Sequence, residues 1–215
     1  MNPPTYIGKT QRIAEMLWRQ IPKLQTVADP RERRYLFTGP PGLGKTDLAE
    51  HLASALTGEN FDHVHLGMAI NTELVTGGAC NVELARRWAT QGHYRPMFGS
   101  CRVYIVDEID GITKDAMVEI RPFLDRLPLA TVFLATTNKP VSELQDQLQS
   151  RFKVQYFDPV PDAEMLAWLV AEYKLPPSYA AKVVAGANGN ARAASTDALS
   201  WLESQPVVEG VHTAQ

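Results

Sequence analysis

The octapeptide GPPGLGKT, from Gly39 to Thr46, constrains the fold more than any other part of this 215-residue chain. It follows RRYLFT, a predicted strand, and precedes KTDLAEHLASALTG, where apolar residues recur at helical spacing and Gly58 predicts the helix end. A glycine-rich turn between strand and helix lets successive backbone N–H groups surround phosphate oxygens, and the helix directs its positive end there. The octapeptide therefore predicts a nucleoside triphosphate site.

Both side chains and backbone groups of the octapeptide are expected to bind the nucleotide. Lys45 is expected to reach the β- and γ-phosphates, and the Thr46 hydroxyl to bind magnesium. A glycine-rich turn without a ligand is the alternative, and the flanking strand and helix argue against it. The residues expected to cradle the phosphates are Gly39, Pro40, Pro41, Gly42, Leu43 and Gly44.

Two adjacent acids end the apolar run VYIVDE. Carboxyl ends of parallel strands open onto the ligand crevice, which would bring Asp107 and Glu108 to the phosphates. We assign Asp107 to the metal and Glu108 to accepting the proton of an attacking water. The alternative is that both acids merely end a strand in solvent, and the phosphate loop makes it less favoured. Asp110 is interpreted as a turn residue.

Three further polar residues follow predicted elements. Asn138 comes just after the strand TVFLATT, where an amide could align water but turn chemistry is the commoner reason. Arg151 ends a helix in LQSRF and is, on its own, an ordinary surface arginine. Arg192 lies in the first turn of the last predicted helix, where an acid is normally favoured, and a triphosphate would explain a cation there.

Strands and helices alternate about five times up to Phe157, which predicts an α/β fold with a parallel, doubly wound sheet. ADPRERR is predicted as a charged loop, and HVHL, residues 63–66, as the second strand. After DPVPD the pattern predicts three helices and no strand. We therefore predict an α/β nucleotide-binding core over residues 1–160, a small helical subdomain over 161–204 and a loose tail over 205–215.

Composition limits the setting and the partners. The net charge of −3 excludes a pervasive basic character, so any nucleic-acid contact needs a local patch. Cys80 and Cys101 form no CxxC pair, which argues against a zinc module, and two reduced thiols are favoured over a disulfide. The amino terminus has no apolar h-region, and MLAWLVA is too short to span a bilayer. A cytoplasmic protein without membrane contact is expected.

The motifs GPPGLGKT, VYIVDEID, LATTN, QSRF and GNAR resemble those of the AAA+ ATPases in order and rough spacing, over about residues 5–204. RPMFGSCRVYIVDEIDGITKDAM and FLATTNKPVSELQDQLQSRFKVQYFDPV most resemble the ATPase subunits of sliding-clamp loaders. YIGKTQRIAEML and GPPGLGKT also resemble the motor of the Holliday-junction branch-migration helicase. The resemblance implies a P-loop NTPase (AAA+) fold, the helical subdomain as a lid, and ATP with Mg²⁺ as cofactors.

The resemblance also implies roles for single residues. Asn138 matches the sensor-1 residue, and Arg192 the sensor-2 arginine, which lies on the lid and touches the γ-phosphate. Arg151 matches the arginine finger of the clamp-loader SRC motif, which acts on ATP held by a neighbouring subunit, so a homo- or hetero-oligomer is expected. Phe152 stands where that motif usually has cysteine. The segment that packs near the adenine is matched by Tyr6, Ile7 and Gly8.

The resemblance leaves the partner open. Clamp-loader subunits carry a collar domain after the lid and the branch-migration motor a winged helix, so we expect a minimal loader-like subunit or one that uses a partner's collar. The first hypothesis is an ATP-hydrolysing enzyme that remodels DNA or a DNA-bound ring in replication or repair, with DNA and a sliding clamp or helicase as partners. The alternative is an ATP-dependent assembly switch or recruitment module that acts on a protein without direct DNA contact.

Two lesser alternatives concern chemistry and DNA. A small-molecule kinase is disfavoured, because it would give the QSRF arginine and the GNAR lid no role. Arg86 and Arg87 match the region of clamp loaders whose helices follow the DNA backbone. Contact with DNA phosphates and a solvent-exposed helix face are equally favoured interpretations of these two arginines. Trp88 is interpreted as a core residue.

Overall fold

The computed structural model describes residues 2–91, 94, 96, 99 and 101–205. Within them, five strands form one sheet: β1 (Arg34–Thr38), β2 (Thr72–Thr76), β3 (Arg102–Asp107), β4 (Thr131–Thr137) and β5 (Lys153–Tyr156). Their spatial order is β2-β3-β4-β1-β5, and every neighbouring pair is parallel. This confirms the predicted α/β fold.

Helices cover both faces of this sheet. They are α1 (Gly8–Leu24), α2 (Lys45–Thr57), α3 (Phe61–His65), α4 (Val82–Gln91), α5 (Lys114–Asp125), α6 (Asp146–Gln149), α7 (Asp162–Tyr173), α8 (Pro177–Ala187) and α9 (Ala191–Ser204). Along β1, Leu36 packs into the core below α4 and α5, whereas Tyr35 and Phe37 pack into the core below α1 and α2. Central strands buried on both faces have continuous apolar runs, which explains RYLFT and TVFLATT.

The predicted strand over residues 63–66 is wrong, because these residues form most of α3 and its end. The Asn60 side chain caps α3 by accepting from the Asp62 N–H at 2.7 Å, and the Phe61 ring stacks on His51 at 3.8 Å. A four-residue apolar alternation cannot distinguish a strand from one helical turn. The second strand of the chain is instead β2, which pairs with β3 at the edge of the sheet. Its side chains are partly exposed, which weakens the apolar pattern of its sequence.

The predicted charged loop ADPRERR is also only partly correct. Pro30–Arg33 forms a 3₁₀ turn that leads into β1, and both Arg33 and Arg34 are buried. The Arg33 guanidinium donates to the carbonyl oxygens of Leu127 at 2.8 Å and Thr131 at 2.7 Å. Its burial is therefore offset by hydrogen bonds that hold the segment between α5 and β4.

The three carboxyl-terminal helices pack on the α1 and α2 side of the sheet. Met165, Leu169 and Val183 belong to the same continuous apolar core as Leu17 and Phe157. The predicted boundary between residues 160 and 161 lies just before α7, and it stays a prediction. Of the predicted tail, residues 206–215 lie outside the described residues. No helix in the described part of the chain is long and apolar enough to cross a membrane.

Both cysteines are buried free thiols. Burial raises the pKa of Cys80 to about 11 and that of Cys101 to about 12. At pH 8 the folded state therefore keeps about one Cys80 thiol in a thousand ionised, and fewer at Cys101.

We expect neither cysteine thiol of the native protein to react with a thiol reagent such as DTNB within minutes at pH 8. The thiolate is the form that reacts, and burial blocks the reagent's access to both sulfurs. Both thiols should react at once in guanidinium. Single Cys80→Ala and Cys101→Ala variants assign each equivalent. Fast reaction in the native state, or no reaction after unfolding without reductant, would contradict this prediction.

Candidate nucleotide site

The phosphate loop connects the carboxyl end of β1 to α2, a 13-residue helix that starts at Lys45. Gly42 has a φ of +78°, in the left-handed region that favours glycine. A Cβ at Gly42 would lie 1.9 Å from Oδ1 of Asn190, so a side chain cannot be added without displacing the Asn190 side chain. The loop and the helix N-terminus thus offer a narrow backbone cradle, whose donors suit an anion such as a phosphate.

The Lys45 side chain is folded across this loop and only 6% exposed. Its ammonium donates to the carbonyl oxygens of Gly39 at 2.8 Å and Pro40 at 2.7 Å, and to Oδ1 of Asn138 at 2.9 Å. Burial lowers the pKa of Lys45 to about 8, against the opposing effect of Asp107. The ammonium therefore lies where phosphate oxygens could replace carbonyl partners.

Thr46 and Asp107 lie next to each other at the start of α2 and the end of β3. The Thr46 hydroxyl donates to Oδ1 of Asp107 at 2.7 Å. A hydroxyl and a carboxylate are hard oxygen ligands of the kind Mg²⁺ prefers, with phosphates and water completing its shell. Among the residues described, no three His, Cys, Asp or Glu side chains gather in a group that could hold a metal ion. This donor set fits magnesium carried with a nucleotide.

Glu108 follows Asp107 in a left-handed conformation, with a φ of +52°. Its N–H donates to the Thr136 hydroxyl at 3.1 Å, and that hydroxyl in turn donates to Asp107. The Asn138 amide donates to the Glu108 carboxylate at 3.4 Å. Thr136 thus contacts the Asp107 carboxylate and the Glu108 backbone, and Asn138 links the Glu108 carboxylate to Lys45.

Two residues of the site, Thr136 and Gly77, are not predicted from the sequence. The strand pattern of TVFLATT includes Thr136, although TTN at a strand end indicates polar groups in the crevice. Gly77, in the 3₁₀ turn after β2, packs against the Glu108 backbone, and a Cβ there would lie 2.1 Å from the Glu108 carbonyl oxygen. The paired glycines after TELVT were the available signal for this close approach.

A cavity of about 440 Å³ adjoins the loop on the side of α1, α7 and α9. It is lined by Tyr6 and Ile7 from the amino-terminal segment and by Trp168 from α7. Gly8, at the start of α1, is next to this lining but not part of it. The volume is within the range of small-molecule sites.

The α2 side of this cavity is polar, which the sequence reasoning did not foresee. The Tyr6 hydroxyl donates to Asp47 at 2.6 Å, and burial is the main reason that its pKa is raised. Glu50 is 4% exposed and pairs with His65 at 2.7 Å, which raises the pKa of that imidazole. Helical spacing puts both acids on the cavity side of α2.

Arg192 joins α9 to the phosphate loop. Its backbone N–H donates to the Gly42 carbonyl oxygen at 3.1 Å, and its side chain lines the space between the loop and Asp107. Asn190 caps α9 by accepting from the Ala193 N–H at 3.0 Å. The structure thus brings Arg192 together with the loop.

Arg151 lies apart from these residues. It precedes the amino end of β5, whereas the phosphate loop follows the carboxyl end of β1. The five residues of β1 separate the two ends of the sheet by roughly 13 Å. The Arg151 guanidinium donates to both carboxylate oxygens of Asp125, at 2.9 and 3.0 Å. It is therefore out of reach of the phosphate loop of its own chain.

The two arginines of α4 are exposed and paired with acids. Arg86 contacts Glu119 at 2.8 Å, and Arg87 contacts Glu73. Trp88 is buried, with its ring centre 4.9 Å from that of Tyr104, so it is a core residue as predicted. The acids compensate the positive charge of this helix face.

Comparison with known proteins places the chain among ATPases. A model of the ATPase family associated with various cellular activities (AAA) matches residues 35–160. Replication factor C small subunit of Staphylothermus marinus is 27% identical over 185 residues, 76% of this chain and 54% of that protein. The Archaeoglobus fulgidus protein of the same name is 31% identical over 132 residues, 60% and 39% of the two chains.

Solved structures support the fold. A Thermotoga maritima RuvB variant aligns with a TM-score of 0.61 at 19% identity, over 87% of this chain and 59% of its own. PCH-2 of C. elegans aligns with a TM-score of 0.65 at 17% identity, over 94% and 64%. This chain spans about half, or less, of the length of the curated relatives cited. The comparisons confirm the resemblance to AAA+ ATPases and to clamp-loader subunits.

Proposed function

Because this chain belongs to the AAA family of ATPases, we propose that it binds ATP with Mg²⁺ at the phosphate loop and hydrolyses it. The observation that carries the proposal is the connected set at the carboxyl end of the sheet, in which Asn138 contacts both Lys45 and Glu108. Thr46 and Asp107 lie beside this set and are hydrogen-bonded to each other. The groups proposed to bind phosphate, to bind the metal and to accept a proton are therefore adjacent.

Each residue has a role in this proposal. The backbone from Gly39 to Gly44 and the ammonium of Lys45 bind the phosphates, while Thr46 and Asp107 hold Mg²⁺. When bound, Mg²⁺ neutralises charge on the β- and γ-phosphate oxygens. The Glu108 carboxylate accepts the proton of the attacking water, which the Asn138 amide orients. Arg192 contacts the γ-phosphate from the lid.

The adenine base of ATP is proposed to occupy the cavity beside Tyr6 and Ile7, with Gly8 behind them. The cavity extends from Gly44 of the loop to Trp168 of α7, so a nucleotide would bridge the two parts of the chain. We therefore propose residues 1–160 as the nucleotide-binding core and 161–204 as a lid that closes over the base and ribose.

Arg151 is proposed to act on ATP held by a neighbouring subunit. Its distance from its own phosphate loop, at the other end of the sheet, supports a role between subunits. An arginine at that point neutralises the charge of the transferring phosphoryl group. Hydrolysis then depends on a homo- or hetero-oligomer.

The broader role is proposed to be that of a clamp-loader-like ATPase in DNA replication or repair, on the basis of its relatives' names. DNA and a sliding clamp or helicase are the proposed partners. One observation favours the alternative, a recruitment module that acts on a protein without DNA contact. Arg86 and Arg87 are both paired with acids, so α4 presents little net positive charge to a DNA backbone.

The test is the steady-state ATPase rate over a series of protein concentrations, with and without primer–template DNA. We expect the rate per subunit to rise steeply with concentration, because an active site needs the neighbour's arginine. Native mass measurements at the same concentrations locate the assembly step. A constant rate per subunit across the transition from monomer to oligomer would contradict the shared site.

The DNA arm separates the two roles. Stimulation by primer–template at low salt that weakens as salt rises would support the clamp-loader-like role. A rate that ignores DNA but still rises with protein concentration would support the recruitment module. An equal length of non-nucleic polyanion, such as heparin, controls for unspecific charge effects.

A further inference from the structure

We propose that Asp125 is a positioning residue that holds the Arg151 guanidinium in the orientation needed to reach a neighbour's phosphates. This inference rests on the proposed function, since it assumes that Arg151 acts between subunits. It assigns a role to a carboxylate that the sequence motifs do not include. The contact between α5 and the segment after α6 carries it.

The contact is bidentate. Nε of Arg151 donates to Oδ1 of Asp125 at 2.9 Å, and Nη2 donates to Oδ2 at 3.0 Å. Two parallel bonds between planar groups fix the plane of the guanidinium as well as its position. A guanidinium has five N–H groups, and the Asp125 carboxylate accepts from two of those of Arg151.

Asp125 is itself held by a buried group. Nη1 of Arg34 lies 3.5 Å from Oδ1 of Asp125 and also donates to the Leu124 carbonyl oxygen at 2.8 Å. Arg34 is the first residue of β1 and is 3% exposed. The carboxylate is therefore anchored to the central sheet, although Asp125 itself is exposed.

Arg151 follows α6, a helix of only four residues, and its backbone N–H donates to the Leu148 carbonyl oxygen at 3.1 Å. Its side chain is long and flexible, so the direction of its charge depends on what holds the guanidinium. A catalytic group displaced by about 1 Å can lose roughly 10²-fold in rate. A fixed carboxylate beside Arg151 prevents such displacement.

The opposite role would be to withhold Arg151 from the neighbour. In that case, removing the carboxylate would release the arginine and raise the rate. The two roles therefore predict changes of opposite sign, which makes the carboxylate a decisive target.

The experiment compares Asp125→Asn with the wild-type protein in kcat and in affinity for ATP. We expect kcat to fall about 10- to 100-fold, by loss of orientation, with the ATP dissociation constant unchanged because the binding site is at the other end of the sheet. Asp125→Glu keeps the charge but moves it by one methylene, so an intermediate kcat is expected. Glu119→Gln is the matched control, because Glu119 is another α5 acid paired with an arginine, and wild-type kcat is expected there.

Mixing identifies which subunit is impaired. Glu108→Gln protein has an inactive site of its own but an intact Arg151 to offer, so mixing it with Asp125→Asn should restore activity in the Asp125→Asn sites. A merely destabilised Asp125→Asn protein would not recover in this way. If Asp125→Asn does not fold, Asp125→Glu takes its place in both measurements.

The outcomes separate the inference from the proposed function. If Arg151→Ala hydrolyses ATP at the wild-type rate, the role between subunits fails. If Arg151→Ala is inactive but Asp125→Asn has wild-type or higher kcat, the positioning role alone is overturned, and higher kcat identifies Asp125 as withholding the arginine. Lower kcat without recovery on mixing also overturns it.

Discussion

Lys45→Ala should weaken ATP binding by about 30-fold or more. Truncating one partner of a buried, hydrogen-bonded charge pair costs about 2–5 kcal/mol, which is a loss in affinity of about 30- to 5,000-fold. The Lys45 ammonium is nearly enclosed by the loop and Asn138, so no other group in the loop can take its place. Titration with a fluorescent ATP analogue in Mg²⁺ measures the loss.

The control for this change is Lys23→Ala. Lys23 is exposed on α1 and pairs with Glu32 at 2.8 Å, away from the loop, so wild-type affinity is expected. Thermal unfolding of both variants excludes a loss of structure as the cause. Unchanged ATP affinity in folded Lys45→Ala protein would refute the site.

Arg151→Ala should remove hydrolysis almost completely while leaving ATP binding intact. An arginine finger contributes about 10³-fold or more to the rate, and Arg151 lies far from the nucleotide site of its own chain. The expected result is therefore a loss in kcat of about 10³-fold with an unchanged dissociation constant. Single-turnover hydrolysis at saturating ATP measures it in the oligomeric state.

Mixing Arg151→Ala with Glu108→Gln protein tests whether the arginine acts between subunits. Neither protein is expected to be active alone, whereas a mixed oligomer contains sites with Glu108 from one subunit and Arg151 from the other. Arg31→Ala, at an exposed arginine near the amino end of β1, should keep the wild-type rate. No recovery in a mixed oligomer verified by mass would argue against a shared site.

The sequence predicts the parts of this molecule that depend on local pattern. The strands β1, β3 and β4 were placed from the apolar runs RRYLFT, VYIVDE and TVFLATT, and Gly58 ends α2 with a φ of +76° as expected. The second strand was misplaced because β2 is a half-exposed edge strand with a weak pattern. Four residues of HVHL fit one turn of helix equally well.

The contacts that orient the site depend on distant residues and could not be predicted. Thr136 bonds to Asp107 and Glu108 only because β3 and β4 are neighbours in register. Arg34 begins the strand within the predicted RRYLFT, but its burial beneath Asp125 of α5 depends on packing between distant elements. Such pairs leave no periodic signal along the chain, since each half lies on an element with its own pattern.

The position of Arg151 at one end of the sheet and the phosphate loop at the other gives each subunit a polarity. If Arg151 serves the neighbour's ATP, one subunit presents its arginine end to the nucleotide end of the next, and the contact is head-to-tail. Such contacts build closed rings or open arcs rather than two-fold dimers with equal halves. In an open arc the last nucleotide site lacks an arginine, so the number of competent sites is one fewer than the number of subunits.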